Sequence, residues 1–224
     1  PLIISGRLLA ACQDGFIFSP PKGLNPVIKN MDIKTDYIHV ESDNWNVGWM
    51  FNCGMKQVRS DNLFFGSFDY IPRSDLIRKV MEDKPEGVML LQEGICNMTQ
   101  KDLDNKIPPK TIDKPEEGIT YMDGESYSKI GGWEENVIGT DFFDIQNKRN
   151  SLIANIKRIS GHSVIRLLPE INIGSEEEVS KSEKLYKRLL SLDDDKLLSY
   201  IRTQGKKIGD VNKYSSIELT KFDV

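Results

Sequence analysis

Aromatic side chains gather in residues 37–70, which hold eight of the nineteen aromatic residues of the chain. Trp45 and Trp49 are four positions apart, so they share a face in a strand and stack one turn apart in a helix. Two aromatic planes can sandwich a purine, and a cationic methylated base gains further from a carboxylate. The sequence therefore predicts a pocket for a nucleotide or an RNA 5′ cap, with these ligand-binding residues: Trp45, Trp49, Phe51 and Asp43. The alternative is that the rings build the core.

A second candidate site is the locally basic stretch at residues 148–166. Lysine and arginine side chains in such a stretch neutralise phosphate groups. The predicted phosphate-binding residues are Lys148, Arg149, Lys157 and Arg158. Arg149 and Lys157 do not share a helical face, so a solvated helix surface is the alternative interpretation.

Carboxylates offer a third chemistry, because a divalent-metal phosphoesterase or nuclease needs two or three of them on one ion. The candidates in a predicted hairpin and a predicted long helix are Asp123, Glu125, Asp141 and Asp144. Asp69 and Glu93 lie on or near predicted strands. The acid-x-Lys strand pattern of such nucleases is not met, since three residues separate Glu125 from Lys129. We therefore predict no metal site and no cofactor.

Other catalytic signatures are missing from the sequence. His39 and His162 lack the His-x-Ser or His-x-Thr pattern of a two-histidine phosphodiesterase. The nucleophile elbow, the phosphate loop and the dinucleotide loop are absent too. The leading hypothesis is a non-catalytic ligand- or partner-binding module of a larger assembly, with other protein subunits as partners. The alternatives are a metal-dependent phosphoesterase or nuclease, and a viral or multi-subunit structural assembly protein.

Composition narrows the class of protein. The chain has 224 residues, of which 38% are hydrophobic and 29% charged, and its formal net charge is -4. This apolar fraction excludes a disordered chain, and the acidic balance excludes a wholly basic nucleic-acid binder. No apolar run approaches the roughly 20 residues that span a bilayer. A local contact with RNA or a nucleotide stays compatible, because residues 148–166 are basic while acid concentrates elsewhere.

The cysteines and the first residue bear on the cellular setting. Cys12, Cys53 and Cys96 are an odd number and lie far apart, whereas zinc ligands come in close pairs. Reduced thiols and a cytoplasmic or other intracellular location are therefore predicted. Because the sequence begins with Pro1, the favoured expectation is a piece cut from a longer protein.

The elements that must position these residues indicate an α+β fold, since strand-like segments come first and helical ones later. An N-terminal antiparallel sheet with packed helices and a helical C-terminal tail is expected. Residues 47–51 and 63–70 predict strands, and Asp123-Gly124 predicts a hairpin turn within residues 118–132. The predicted parts are an aromatic-rich β/α portion at 1–106, a hairpin, long helix and strand at 107–174 in the same globular unit, and the tail at 175–224.

Helix boundaries are marked by capping residues and glycines. Ser74 predicts a helix to Asp83, and Thr140 predicts a long helix that ends at Ser160-Gly161. Ser175 begins a capping box, and the run at 193–195 breaks the tail and caps a second helix. Residues 88–91 and 162–168 predict strands.

Overall fold

The structure is a computed structural model of the 224-residue chain. It describes residues 2–5, 14–18, 34–40, 46–56, 60–67, 70–71, 74–99, 101–102, 105–108, 110–113, 118–138, 142–167, 176–205, 208–210 and 217–218. The strands are β1 (Leu2–Ser5), β2 (Asp14–Phe18), β3 (Lys34–Val40), β4 (Asn62–Ser67), β5 (Tyr70–Ile71), β6 (Val88–Leu90), β7 (Gly94–Met98), β8 (Lys110–Asp113), β9 (Thr120–Asp123), β10 (Ile156–Arg158), β11 (Ser163–Leu167) and β12 (Ile217–Glu218). The helices are α1 (Val47–Met55), α2 (Ser74–Asp83), α3 (Gly124–Ile130), α4 (Phe142–Ile153), α5 (Glu176–Ser191) and α6 (Asp194–Gln204).

A mixed sheet forms the centre of the fold, with the strand order β10-β6-β9-β4-β1-β2-β3-β12. β4, β1, β2 and β3 are parallel neighbours, whereas β9 runs antiparallel between β4 and β6. The mixed sheets and packed helices are consistent with the predicted α+β class. The prediction of an antiparallel N-terminal sheet is wrong, because α1 carries the chain back between β3 and β4 so that both strands run the same way.

A smaller sheet, in the order β5-β11-β7-β8, packs against the large one. An apolar cluster joins the two sheets. It contains Phe64 and Tyr121 from the large sheet, Ile95 and Val164 from the small one, and Leu76 from α2. On α2 the apolar residues recur at helical spacing, so one face is buried while the other is solvated. The predicted helix at 74–83 and the predicted strands at 88–91 and 162–168 are confirmed within a residue or two.

The region predicted as a strand at 47–51 is the helix α1, so that prediction is wrong. Asn46 is its N-cap, and the Asn46 side chain accepts a hydrogen bond from the Trp49 backbone N–H at 3.0 Å. Residues 47–54 are all buried. A short apolar run fits a buried helix and a buried strand equally well, so the cap and the packing decided between them.

The predicted hairpin at 118–132 is also wrong. Asp123 ends β9 and is the N-cap of α3, because its side chain accepts from the Ser126 N–H at 2.8 Å. Gly131 then ends α3 in the left-handed conformation, with φ 73°. An Asp-Gly pair suits a turn and a helix start alike, since both use the same aspartate acceptor.

Residues 176–204 form the two helices α5 and α6, with Asp193 as the N-cap of α6 and Gly205 as its C-cap, and β12 follows at Ile217–Glu218. The long helix predicted from Thr140 stops at Ile153, because residues 156–158 pair with β6 as an edge strand. Within the described residues, no helix is long and apolar enough to cross a membrane. The three-part division at 1–106, 107–174 and 175–224 stays a prediction.

Candidate functional site

The order of the parallel strands creates a topological switch point at their carboxyl ends, the position at which open α/β sheets form a ligand-binding crevice. The chain passes from β1 to β2 and β3 on one side, then returns to place β4 on the other side of β1. Ser5 and Ser67, the last residues of β1 and β4, are paired in register at this reversal. In open α/β sheets, ligands bind outside the carboxyl ends of the strands at such a switch point. We therefore take the end of β1 and β4 as the candidate site.

Helix α1 begins at this same edge, because it runs back between two parallel strands. Residues 131–138, here called the anchored segment, lie along α1 without regular secondary structure. The Asn46 Nδ2 donates to the Glu135 carbonyl at 2.6 Å, and a Cβ at Gly48 would lie 1.8 Å from the Glu134 carbonyl oxygen. Farther along the helix, Asn52 contacts Trp133. The anchored segment therefore runs antiparallel to α1, toward the crevice.

Asn52 fixes the anchored segment through all four of its hydrogen-bonding positions. Its Nδ2 donates to the Trp133 carbonyl at 2.9 Å and to Glu135 Oε2 at 2.8 Å. Its Oδ1 accepts from the Trp133 N–H and from the Tyr127 hydroxyl, both at 2.8 Å. Burial, together with the Glu135 carboxylate, raises the pKa of Tyr127, so its hydroxyl stays protonated and donates.

A buried ion pair fixes the other side of the anchored segment. Arg149 Nη1 donates to Glu134 Oε2 at 2.7 Å, and both side chains are 0% exposed. Arg149 also binds Gln204 on α6 and the Ile130 carbonyl at the end of α3. The Tyr200 hydroxyl donates to Glu134 Oε1 at 3.0 Å, and burial raises the pKa of Tyr200, with the Glu134 charge acting in the same direction. Through Glu134 and Arg149, these contacts join α3, α4 and α6 to the anchored segment.

Some of the residues predicted to bind a ligand by stacking are described by the structure, and these lie in the core. Trp49 is 0% exposed, and its indole Nε1 donates to the Asp210 carbonyl at 2.8 Å. Phe51 is 1% exposed and its ring lies 5.0 Å from that of Trp133. Trp45 and Asp43 lie outside the described residues. Trp49 and Phe51 thus follow the alternative interpretation, in which the rings build the core.

The four predicted phosphate-binding residues are divided between α4 and β10. On α4, Lys148 Nζ donates to the Leu190 and Leu192 carbonyls at 2.8 and 2.7 Å, where it satisfies the end of α5. Arg149 is occupied in the buried ion pair described above. On β10, Lys157 is exposed and Arg158 donates to the Gln92 carbonyl at 3.2 Å.

Each candidate carboxylate that the structure describes has its own local structural role. Asp123 caps α3, and Glu125 forms an exposed ion pair with Lys129 at 2.5 Å. Asp144, in the first turn of α4, accepts from the Tyr186 hydroxyl at 2.6 Å. Asp141 lies outside the described residues. Among the residues described, no group of three or more His, Cys, Asp or Glu could hold a metal ion.

No family model and no curated protein matches this sequence. Solved structures do match its fold. TarS 1-349 from S. aureus in complex with UDP-GlcNAc is 10% identical, with a TM-score of 0.59 over 94% of this chain and 74% of that chain. The crystal structure of S. aureus TarS has a TM-score of 0.56 at 10% identity, over 94% of this chain and 44% of that one. GalNAc-T7 with UDP, GalNAc and Mn²⁺ also reaches 0.56 at 10% identity, over 89% and 50% of the two chains.

At these identities the likeness shows the fold alone: this chain shares its fold with structures of TarS in complex with UDP-GlcNAc and of GalNAc-T7 with UDP, GalNAc and Mn²⁺. The prediction of a non-catalytic binding module is wrong against this likeness, since the proteins that share the fold hold a nucleotide or a nucleotide sugar in their structures. The same likeness contradicts the two alternative predictions, a metal-dependent phosphoesterase or nuclease and a structural assembly protein. The predictions of RNA binding and of a viral protein find no support in these structures, whereas nucleotide binding fits them.

The sequence did not single out the residues that mark the switch point or those that hold the anchored segment in place. Ser5 and Ser67 carry no local signal, because their significance depends on strand order. Asn52 and Glu134 did carry a local signal, because each is a polar residue next to aromatic residues that are buried. A polar residue in such a stretch needs partners when buried, and this would have singled out both positions.

Proposed function

We propose that this chain binds a nucleoside-diphosphate sugar and transfers the sugar to an acceptor hydroxyl, as the catalytic part of a glycosyltransferase. The observation that carries the proposal is the fold likeness over 94% of this chain to a TarS structure that holds UDP-GlcNAc. The crevice at Ser5 and Ser67 supports it, because it is the position at which α/β sheets bind nucleotides.

The reaction exchanges one bond at the anomeric carbon of the sugar for another. The acceptor oxygen forms a bond to that carbon, the bond to the diphosphate oxygen breaks, and the acceptor proton passes to a base. The anchored segment leads toward the crevice and is followed in sequence by Asp141 and Asp144. One carboxylate suits the role of that base, and we propose Asp141, which directly precedes α4, because Asp144 already accepts from the Tyr186 hydroxyl.

The proposal also includes a divalent cation, for which one further residue is a candidate ligand. Asp69 comes two positions after β4 ends, next to the crevice in sequence, and lies outside the described residues. Divalent ions on nucleotides are held by one or two carboxylates together with the phosphate oxygens, and we propose Asp69 as one such carboxylate. A bound cation would stabilise the charge of the departing diphosphate.

Calorimetric titration of the full chain with UDP-GlcNAc, UDP-GalNAc and UDP, with and without Mn²⁺, tests the proposal. Saturable binding is expected, with slow release of UDP from the sugar nucleotide over hours. The variant Asp69→Asn should lose at least about tenfold in affinity if it supplies a charge-assisted contact. Asp83→Asn, at the exposed end of α2, is the matched control and should bind normally. Absence of binding by any of the three ligands to folded protein would overturn the proposal.

A further inference from the structure

A row of polar side chains crosses the small sheet beside the crevice. Arg166 of β11 is in register with Tyr70 of β5 on one side and with Asn97 of β7 on the other. Residues in register share a face of the sheet, so the three side chains lie side by side. Tyr70 is only three residues beyond Ser67, at most about 11 Å along the chain. Tyr70, at one end of the row, therefore lies close to the candidate nucleotide site.

The row forms the edge of a buried face. Two positions earlier on the same strands and the same face, Ile95 and Val164 are 0% and 1% exposed and belong to the cluster that joins the sheets. Arg166 and Asn97 are half-buried, whereas Tyr70 is 6% exposed. A face that changes from an apolar interior to half-buried polar groups has the character of a binding-site wall.

Two contacts define what the row can bind. The Arg166 guanidinium carbon lies 5.5 Å from the centre of the Tyr70 ring, which holds the planar guanidinium in place. Among the residues that the structure describes, Asn97 Oδ1 is buried and has no hydrogen-bond partner. A buried acceptor of this kind costs free energy unless a donor reaches it, so a donor from a ligand would be stabilising.

The chemistry of the row selects a class of ligand. Guanidinium N–H groups only donate and the amide oxygen only accepts, so the ligand must accept at one point and donate at the next. Neighbouring hydroxyls of a sugar do both. A phosphate would suit Arg166 but not the acceptor Asn97 Oδ1, and Lys110 of β8, which is in register with Asn97, makes phosphate the competing ligand that the test must exclude.

We propose that Tyr70, Arg166 and Asn97 form the subsite for the acceptor sugar, with Asn97 Oδ1 accepting from an acceptor hydroxyl and Arg166 donating to its neighbour. This inference rests on the proposed glycosyl transfer, which makes a sugar acceptor the expected occupant of a wall beside the nucleotide crevice. Arg166 and Asn97 bind and orient the acceptor, and neither takes part in the proton transfer.

Protein-observed NMR tests the subsite. The side-chain amide of Asn97 is assigned by its disappearance in Asn97→Leu, and the full chain is titrated with the β-methyl glycosides of glucose, galactose, xylose and N-acetylglucosamine. Each titration is run with and without saturating UDP, and sodium phosphate at constant ionic strength is the anion probe. At least one glycoside should shift the Asn97 amide in a saturable manner.

Variants decide whether the row itself binds the sugar. Asn97→Leu and Arg166→Met should each weaken the glycoside by about tenfold, the loss of one hydrogen bond to a polar or charged group, and leave the UDP affinity within about twofold. Asn105→Leu, at an exposed turn, should change neither affinity. Arg166→Lys should restore part of the glycoside affinity.

The failures of the two proposals are distinguishable. UDP binding without any glycoside shift, a shift caused by phosphate alone, or normal glycoside binding by Asn97→Leu would overturn the subsite and leave the nucleotide proposal standing. Absence of binding by UDP, UDP-GlcNAc and UDP-GalNAc overturns the nucleotide proposal, and the glycoside titration without UDP then decides the subsite by itself.

Discussion

The side-chain amide of Asn52 holds both backbone polar groups of Trp133. It accepts from the Trp133 N–H at 2.8 Å and donates to the Trp133 carbonyl at 2.9 Å, as a neighbouring strand would. A helix cannot offer free backbone partners to an adjacent segment, so one asparagine side chain replaces them. This contact fixes the anchored segment against α1 below the candidate nucleotide crevice.

Replacing Asn52 should therefore be severely destabilising. Asn52→Leu keeps the volume but leaves Trp133 N–H, its carbonyl and the Glu135 carboxylate without this partner in a buried position. We expect a loss of about 3 kcal/mol in the free energy of unfolding, measured by urea denaturation. Asn105→Leu, at an exposed site, is the control and should lose less than about 0.5 kcal/mol. Equal stability of the two variants would contradict the role assigned to Asn52.

The close approach of α1 to the anchored segment requires a glycine at position 48. A Cβ there would lie 1.8 Å from the Glu134 carbonyl oxygen, and neither backbone can yield without breaking other contacts. Gly48→Ala should cost about 2 kcal/mol or more. Gly124→Ala, at the start of α3, places its Cβ at an ordinary 3.5 Å from Asp61 and is the matched control. Both are measured by thermal melting, and a melting temperature of Gly48→Ala that equals the control would exclude the close approach.

The Glu134–Arg149 pair should show the energetics of a buried charge. Arg149→Met leaves the Glu134 carboxylate buried without its cation, and the expected loss in the free energy of unfolding is about 3–5 kcal/mol. The double variant Glu134→Gln/Arg149→Met should regain part of that loss, because no uncompensated charge remains. Lys129→Ala, which breaks the exposed pair with Glu125, should leave the melting temperature unchanged. Additive losses in the double variant would show that the pair is not coupled.

Asp123 should make stability depend on pH in the acid range. Burial acts to raise the pKa of its carboxyl, but hydrogen bonds from the Ser126 N–H and hydroxyl and from the Gly87 N–H outweigh burial and lower the pKa. A folded-state pKa below the unfolded value of about 3.9 stabilises the protein above that pH, and this contribution is lost as the pH falls through the folded value.

The test compares urea denaturation of the parent and of Asp123→Asn at about pH 5 and about pH 3. Asparagine is also a good N-cap, so the helix start is retained while the titration is removed. The parent should lose more stability than Asp123→Asn over this interval. Asp83→Asn, on the exposed end of α2, should follow the parent. Parallel pH profiles of the parent and Asp123→Asn would contradict the prediction.

Local signals in the sequence predicted the elements that depend on local physics. The apolar spacing and the cap predicted α2 at 74–83, and the acidic run at 193–195 predicted the start of α6. The same signals were ambiguous where two local structures use the same residue. Asp123 caps a helix instead of closing a hairpin turn, and the apolar run after Asn46 is a buried helix instead of a strand.

The sequence by itself determined the α+β class and most of the C-terminal helices, whereas it left open whether the aromatic residues line a pocket or build the core. Only the tertiary structure decided that the first strands are parallel, that Ser5 meets Ser67, and that Arg166 lies between Tyr70 and Asn97. The physical reason is that caps and periodicity act over a few residues, whereas strand order joins residues more than sixty positions apart. The candidate nucleotide crevice and the acceptor subsite are products of that strand order.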